Sequence, residues 1–210
     1  MNVYVESNFV LEMVLAQAQC PSCESLLDLC ESGAARLVVP ACALSEPYET
    51  LTRRHRERTQ LRVSLEREFH QLGRTDAYKH RASEFESVVA LLAGSAEEES
   101  DRLQLIQSRL LRTAEIIPLD HEVLTSAISL RGTSPLTPQD SLIFSSVTIH
   151  LRQQRSPQAS CFLNRDLGFK DSDLVAELQQ WSCKLLARFD DGYQYVRANR
   201  AGPPEQKSEP

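Results

Sequence analysis

A three-layer α/β/α domain around a central, mainly parallel sheet of short strands is the fold this sequence predicts. Three observations carry that prediction. Short apolar, β-branched runs recur at Val3-Tyr4-Val5, Leu37-Val38-Val39, Ala114–Ile117, Ser160–Leu163 and Cys183–Leu186. Each of the first four is followed by a stretch with apolar residues at helical spacing, the alternation that yields parallel strands with helical crossovers. The chain has 210 residues, 41% of them hydrophobic and 25% charged, which suits one folded domain with a sizeable core.

The first strand leads into a helix with Ser7 and Asn8 as its expected caps and Phe9, Val10, Met13 and Val14 on its inner face. A second helix starts near Pro21, buries Leu26, Leu27 and Cys30, and stops at Gly33. After strand two, Pro40 to about His55 reads as a helix with Leu44, Tyr48 and Leu51 on one face and a kink expected at Pro47, beside Glu46. Residues 52–113 read as a long helical insertion. Its expected apolar positions are Val63, Leu65, Phe69, Leu72, Phe85, Val88, Val89, Leu92, Leu103, Ile106 and Leu110, and its expected breaks are Gly73 and the acidic stretch Gly94 to Asp101.

Beyond the third strand, Asp120 caps a helix carrying Val123, Leu124, Ala127 and Ile128. A loop over 132–136 precedes a helix opened by Thr137-Pro138 that buries Leu142, Ile143, Phe144 and Val147. Helices are expected over 172–180 and 190–197. The domain therefore spans 1–199, and 200–210, rich in proline and lacking apolar residues after Ala201, reads as a disordered tail.

The formal charge of -6 supplies no general attraction for nucleic acid, so any phosphate-binding surface has to be a local patch. The opening residues lack the basic flank and long apolar core of a signal peptide, and no stretch is apolar enough for a bilayer. A cytoplasmic location and no membrane partner are expected, with the six cysteines as reduced thiols. Cys20 and Cys23 form a C-x-x-C without a second ligand pair, so they read as helix-packing residues. The five histidines show no ligand spacing and receive no catalytic part.

Four acids fall near the carboxyl ends of the strands, where open parallel sheets bind ligands. Glu6 follows strand one, Glu46 lies in the helix after strand two, Asp140 is in the first turn of its helix, and Asp166 comes three residues after Leu163. Carboxylates gathered at one edge need a hard cation between them, and oxygen-only ligands suit magnesium or manganese. Each acid also has a plain structural reading. Asp140 fits a capping box with Thr137, Glu46 an exposed helix acid with Glu49 as an alternative ligand, and Asp166 a turn residue. Glu6, between an apolar strand and a buried helix, is costly without a partner.

The segments Val3-Tyr4-Val5-Glu6-Ser7-Asn8, Leu44-Ser45-Glu46, Thr137-Pro138-Gln139-Asp140-Ser141-Leu142-Ile143 and Phe162-Leu163-Asn164-Arg165-Asp166-Leu167-Gly168-Phe169 resemble, in order, the four acidic motifs of PIN domains. The resemblance implies a metal-dependent ribonuclease leaving a 5′-phosphate and a 3′-hydroxyl, in many members the toxin of a toxin-antitoxin pair and often a homodimer. It implies Glu6, Asp140 and Asp166 as ligands for one or two Mg2+ or Mn2+ ions, with Glu46 as a further ligand or orienting the attacking water. Ser7 and Asn164 are the expected supporting residues. Two features depart from the family: Glu6 stands where Asp is usual, and the 52–113 segment is longer than in compact members.

Arg53, Arg54, Arg56 and Arg58 form a local basic stripe with two readings. It could hold an RNA backbone, or it is a solvated face paired with glutamates or docked by an acidic antitoxin segment. Rival readings of the whole chain are an inactive PIN-like module that binds RNA or protein, and another magnesium-dependent phosphohydrolase.

Overall fold

The computed structural model describes residues 1–78, 86–132, 134–154 and 159–199. Phe85, His80, Thr133 of the expected loop and the expected tail from residue 200 lie outside the described residues.

Five strands form one parallel sheet: β1 (Asn2–Val5), β2 (Arg36–Pro40), β3 (Glu115–Ile117), β4 (Ser160–Leu163) and β5 (Cys183–Leu186), in the order β3-β2-β1-β4-β5. Alternation along β1 sends Val3 and Val5 to one face and Tyr4 to the other, and each face carries its own apolar core. On the first face, Val3, Val5, Leu37, Val39, Cys161 and Leu163 meet helices α1 (Ser7–Val14), α2 (Cys20–Glu31) and α8 (Phe189–Asn199). On the second, Tyr4, Val38, Phe162 and Cys183 meet α6 (Pro138–Gln153), a 3-10 turn over Leu167–Lys170, and α7 (Ser172–Gln180).

Two helices form a long antiparallel hairpin, α3 (Ala41–Leu72) and α4 (Glu86–Thr113). Gln107 Nε2 donates to the Leu44 carbonyl, Arg58 to Ser95 Oγ and Glu99, and His55 contacts Glu99, so one helix climbs as the other descends. The 32 residues of α3 reach about 48 Å. Only the base of the hairpin enters the core, through Cys42, Ala43 and Leu51 of α3 and Leu103, Ile106 and Leu110 of α4.

Several expectations for this hairpin are corrected. The acidic stretch 94–101 is no break, because α4 runs through it: Glu99 is buried against Arg58 and His55, and Glu98 pairs with Arg102 one turn on. Helix α3 contains Pro47, buried within its run from Ala41 to Leu72. Tyr48 is exposed, and Val63, Leu72 and Val88 are exposed rather than inward, since the arm beyond residue 52 has no sheet beneath it. Periodicity shows that a helix has an apolar side; it does not show that something covers that side.

Helix α5 (His121–Leu130) packs on α6, with Asp120 capping the Val123 N–H as expected. Helix α6 is enclosed far beyond the apolar face the sequence displays. Ser141, Ser146 and Thr148 are buried and return their hydroxyls to backbone carbonyls one turn earlier, which lets a partly polar helix sit inside the protein. His150 closes this helix against the Tyr4 hydroxyl at 2.9 Å.

Helix α8 crosses β4 closely at Gly192, where an added Cβ would stand 2.6 Å from Leu163 Cδ2. Gly192→Ala is therefore expected to destabilise the protein by about 1–3 kcal/mol through overpacking. Urea unfolding measures it, and a variant as stable as the wild type would contradict this contact.

Candidate functional site

The strand order changes direction at β1. Strands β2 and β3 extend to one side and β4 and β5 to the other, so the chain leaves the carboxyl ends of β1 and β4 in opposite senses and opens a crevice between them. Val5 pairs with Leu163, and the next residue on each strand is Glu6 and Asn164. Both residues thus meet at the switch point of the sheet.

Glu6 ends β1 and caps α1. Its Oε2 accepts from the Asn8 backbone N–H at 2.7 Å and from Ser7 Oγ at 2.9 Å. The cap is thus the carboxylate of Glu6, correcting the expectation of Ser7 and Asn8, whose side chains turn instead to the neighbouring acids. Ser7 Oγ also lies 2.6 Å from Glu46 Oε2 on α3, and Asn8 Nδ2 donates to Asp166 Oδ2 at 2.9 Å. Asp166 is aligned further by its own N–H, which donates to Asn164 Oδ1 at 2.7 Å. Glu6, Glu46 and Asp166, distant in sequence, are tied together by two adjacent residues of α1.

Asp140 stands apart in bonding but not in charge. Thr137 accepts from its N–H and donates to its Oδ2 at 2.6 Å, a reciprocal cap at the start of α6. The structural reading of Asp140 is therefore satisfied, while its charge still bears on Asp166. Burial pushes the Asp166 carboxyl above the usual range, with the charges of Asp140 and Glu46 adding to that and the Asn8 hydrogen bond opposing it.

The unbalanced group is Glu6. It is 1% exposed, its Oε1 is buried with no hydrogen-bond partner, and the Nδ2 of neighbouring Asn164 is also buried and unpartnered. Burial drives the Glu6 carboxyl up to about 8 against the opposing Asn8 and Ser7 hydrogen bonds, and the charges of Asp166 and Glu46 push the same way. Ser7 has one hydroxyl proton and two carboxylate oxygens within reach. With both acids ionised, one of those contacts holds no proton.

Three residues of this neighbourhood carried no functional signal in the sequence. Asn8 reads as a helix cap yet holds Asp166. Glu12, 1% exposed on α1, accepts from the Gln19 N–H at 2.6 Å and from the Arg165 guanidinium, which fastens the loop between Asn164 and Asp166 to α1. The one available hint was an acid at position 12, on the apolar side of α1 between Phe9 and Met13.

The arginine stripe divides. Arg58 is engaged with Glu99 and Ser95, and Arg62 pairs with Glu66. The charge of Arg54 also acts on Glu99. Arg53 and Arg56 are exposed and have no ion-pair partner among the described residues.

Among the described residues no three His, Cys, Asp or Glu side chains stand as a ready metal-ligand group, and all six cysteines are free. No helix among them is long and apolar enough to cross a membrane. The chain matches no protein-family model, and no curated protein or solved structure is significantly similar to it.

Proposed function

We propose that this chain is a three-layer, PIN-like metal-dependent endoribonuclease that hydrolyses RNA phosphodiester bonds at the carboxyl edge of the sheet. The observation that carries the reading is the buried, unpartnered Oε1 of Glu6, in a group of carboxylates at the switch point with too few protons to satisfy them. A buried carboxylate oxygen without a donor calls for a cation, and the oxygen-only donor set fits hard Mg2+ or Mn2+. Glu6, Asp166 and Asp140 would hold the ion, with Glu46 as a further ligand or as the acceptor that orients the attacking water. When bound, such an ion lowers the pKa of water and offsets the charge on a scissile phosphate.

The chain's own groups account for the remaining requirements. Ser7 and Asn8 fix the relative positions of Glu6, Glu46 and Asp166 by hydrogen bonds to all three. Asn164 aligns Asp166 through its Oδ1. Asp140 stands in the first turn of α6, and its charge acts on Asp166. Glu6 reaches one methylene further than Asp, and its side chain is held in place as the N-cap of α1.

The decisive experiment incubates labelled single-stranded RNA, single-stranded DNA and a simple phosphate ester with the protein, with Mn2+ or Mg2+ and with chelator. Divalent-dependent cleavage of RNA, lost in Asp166→Asn, is the expected result. Turnover of the ester alone would favour a small-molecule phosphohydrolase. No turnover together with no divalent-induced rise in Tm would leave a binding module.

A further inference from the structure

We infer that the exposed face of α3 around Tyr48 is a subsite for one unpaired nucleotide, with Tyr48 as the stacking platform and Arg53 and Arg56 as phosphate partners. The choice of ligand rests on the nuclease reading above, but the subsite stands on its own geometry. Tyr48 is 65% exposed although it lies on a helix whose neighbouring Leu51 is buried in the core. Beside it is a surface recess of about 300 Å3 lined by Tyr48, Glu49, Thr52, Arg53 and Arg56.

Two observations together select these two arginines, the lack of an ion pair and a place in the recess. A cation serving only the hairpin would pair across it, as Arg58 does with Glu99, or along its own helix, as Arg62 does with Glu66. Arg53 and Arg56 do neither, and both line the recess. In a protein with a net charge of -6, two unpaired guanidinium groups flanking an exposed aromatic ring match a backbone phosphate with its base.

One lining residue of the recess also lies in line with a carboxylate. Arg53 follows Glu46 by seven residues, two helical turns and about 10 Å along the same stripe of α3. A second hollow of about 500 Å3, lined in part by Arg53, Arg54 and Arg58, continues the basic surface up the arm.

The chemistry favours single-stranded nucleic acid over an acidic peptide. Glu49 puts a carboxylate in the recess, an acceptor for the exocyclic amino group of a base, and the exposed Tyr48 ring offers that base a flat face to stack on. A duplex keeps its base faces stacked internally and offers none to Tyr48.

The test is fluorescence anisotropy with a labelled single-stranded RNA octamer, in chelator so that binding is read without cleavage, across a salt series. The octamer is expected to bind more tightly than a duplex of the same sequence. Tyr48→Ala should weaken it about 10-fold or more while Tyr48→Phe retains it. Arg53→Ala and Arg56→Ala should each reduce the slope of log K against log salt by about 0.7. Because all three side chains are exposed, the variants should melt like the wild type, which circular dichroism checks.

An octamer that does not bind, a Tyr48→Ala variant that binds like the wild type, or an oligoglutamate peptide that occupies the face while RNA fails to displace it would overturn the subsite. Binding through Tyr48 without metal-dependent cleavage would keep the subsite and remove the nuclease. Cleavage with Tyr48→Ala binding unchanged would do the reverse.

Discussion

In metal-free buffer the wild-type protein should lose stability as the pH rises from about 5 to about 8, and Glu6→Gln should remove most of that loss. The unfolded chain releases the Glu6 proton near 4.5, whereas burial makes the folded protein keep it until about 8. Between those values the folded state binds more protons than the unfolded state, so unfolding free energy falls with increasing pH. The contribution is complete below 4.5 and gone once the pH passes the folded value. A shift of this size corresponds to at most about 5 kcal/mol, or roughly 10 °C in Tm for a chain of this length.

Glutamine keeps the acceptor that Ser7 and Asn8 use and places a neutral amide where Oε1 has no donor. Added Mn2+ should restore wild-type stability at pH 8 much more than at pH 5, because ion and proton compete for the same oxygens. Thermal melts of both proteins at pH 5, 6.5 and 8, with and without Mn2+, measure this. Parallel profiles for wild type and Glu6→Gln would show that Glu6 is not the buried group responsible.

Arg165→Ala should cost about 3 kcal/mol, the low end for breaking a buried ion pair. Glu12 is 1% exposed and the Arg165 side chain 41%, so the acid suffers the desolvation and the arginine remains partly hydrated. Removing the cation strands a buried carboxylate whose remaining partner is the Gln19 N–H. The double variant Arg165→Ala/Glu12→Gln should recover at least half of the loss, since the amide still accepts from Gln19 without a buried charge. Urea unfolding of the single and double variants tests both statements, and a cost below about 0.5 kcal/mol for Arg165→Ala would show the pair to be a surface contact. The loop it fastens carries Asn164 and Asp166, so the same variant should also raise the Mn2+ concentration needed for stabilisation.

The strands were legible because each is a compact apolar run punctuated by a helix cap, a proline or a glycine. Gly33 ends α2 at a φ of 77°, a conformation glycine adopts without strain. Asp120 and Thr137 cap their helices as their positions imply. The hairpin was legible as helix but not as surface. Val63, Leu72 and Val88 have helical spacing and no partner, and Glu99 looks like part of a loop until Arg58 and His55 face it. The 3-10 turn after Asp166 has no periodicity long enough to read.

Local sequence determined which segments are strands and helices, that the strands are parallel through helical crossovers, and that Glu6, Glu46, Asp140 and Asp166 each follow or open an element at the carboxyl side of the sheet. Tertiary structure alone decided that Ser7 and Asn8 bridge three of those acids, that Glu6 loses its water and has one oxygen left without a donor, and which arginines remain unpaired. The physical reason is range. Capping, turn and propensity energies act within four residues of the chain, whereas desolvation and ion pairing depend on which distant segments the sheet brings within a few ångströms.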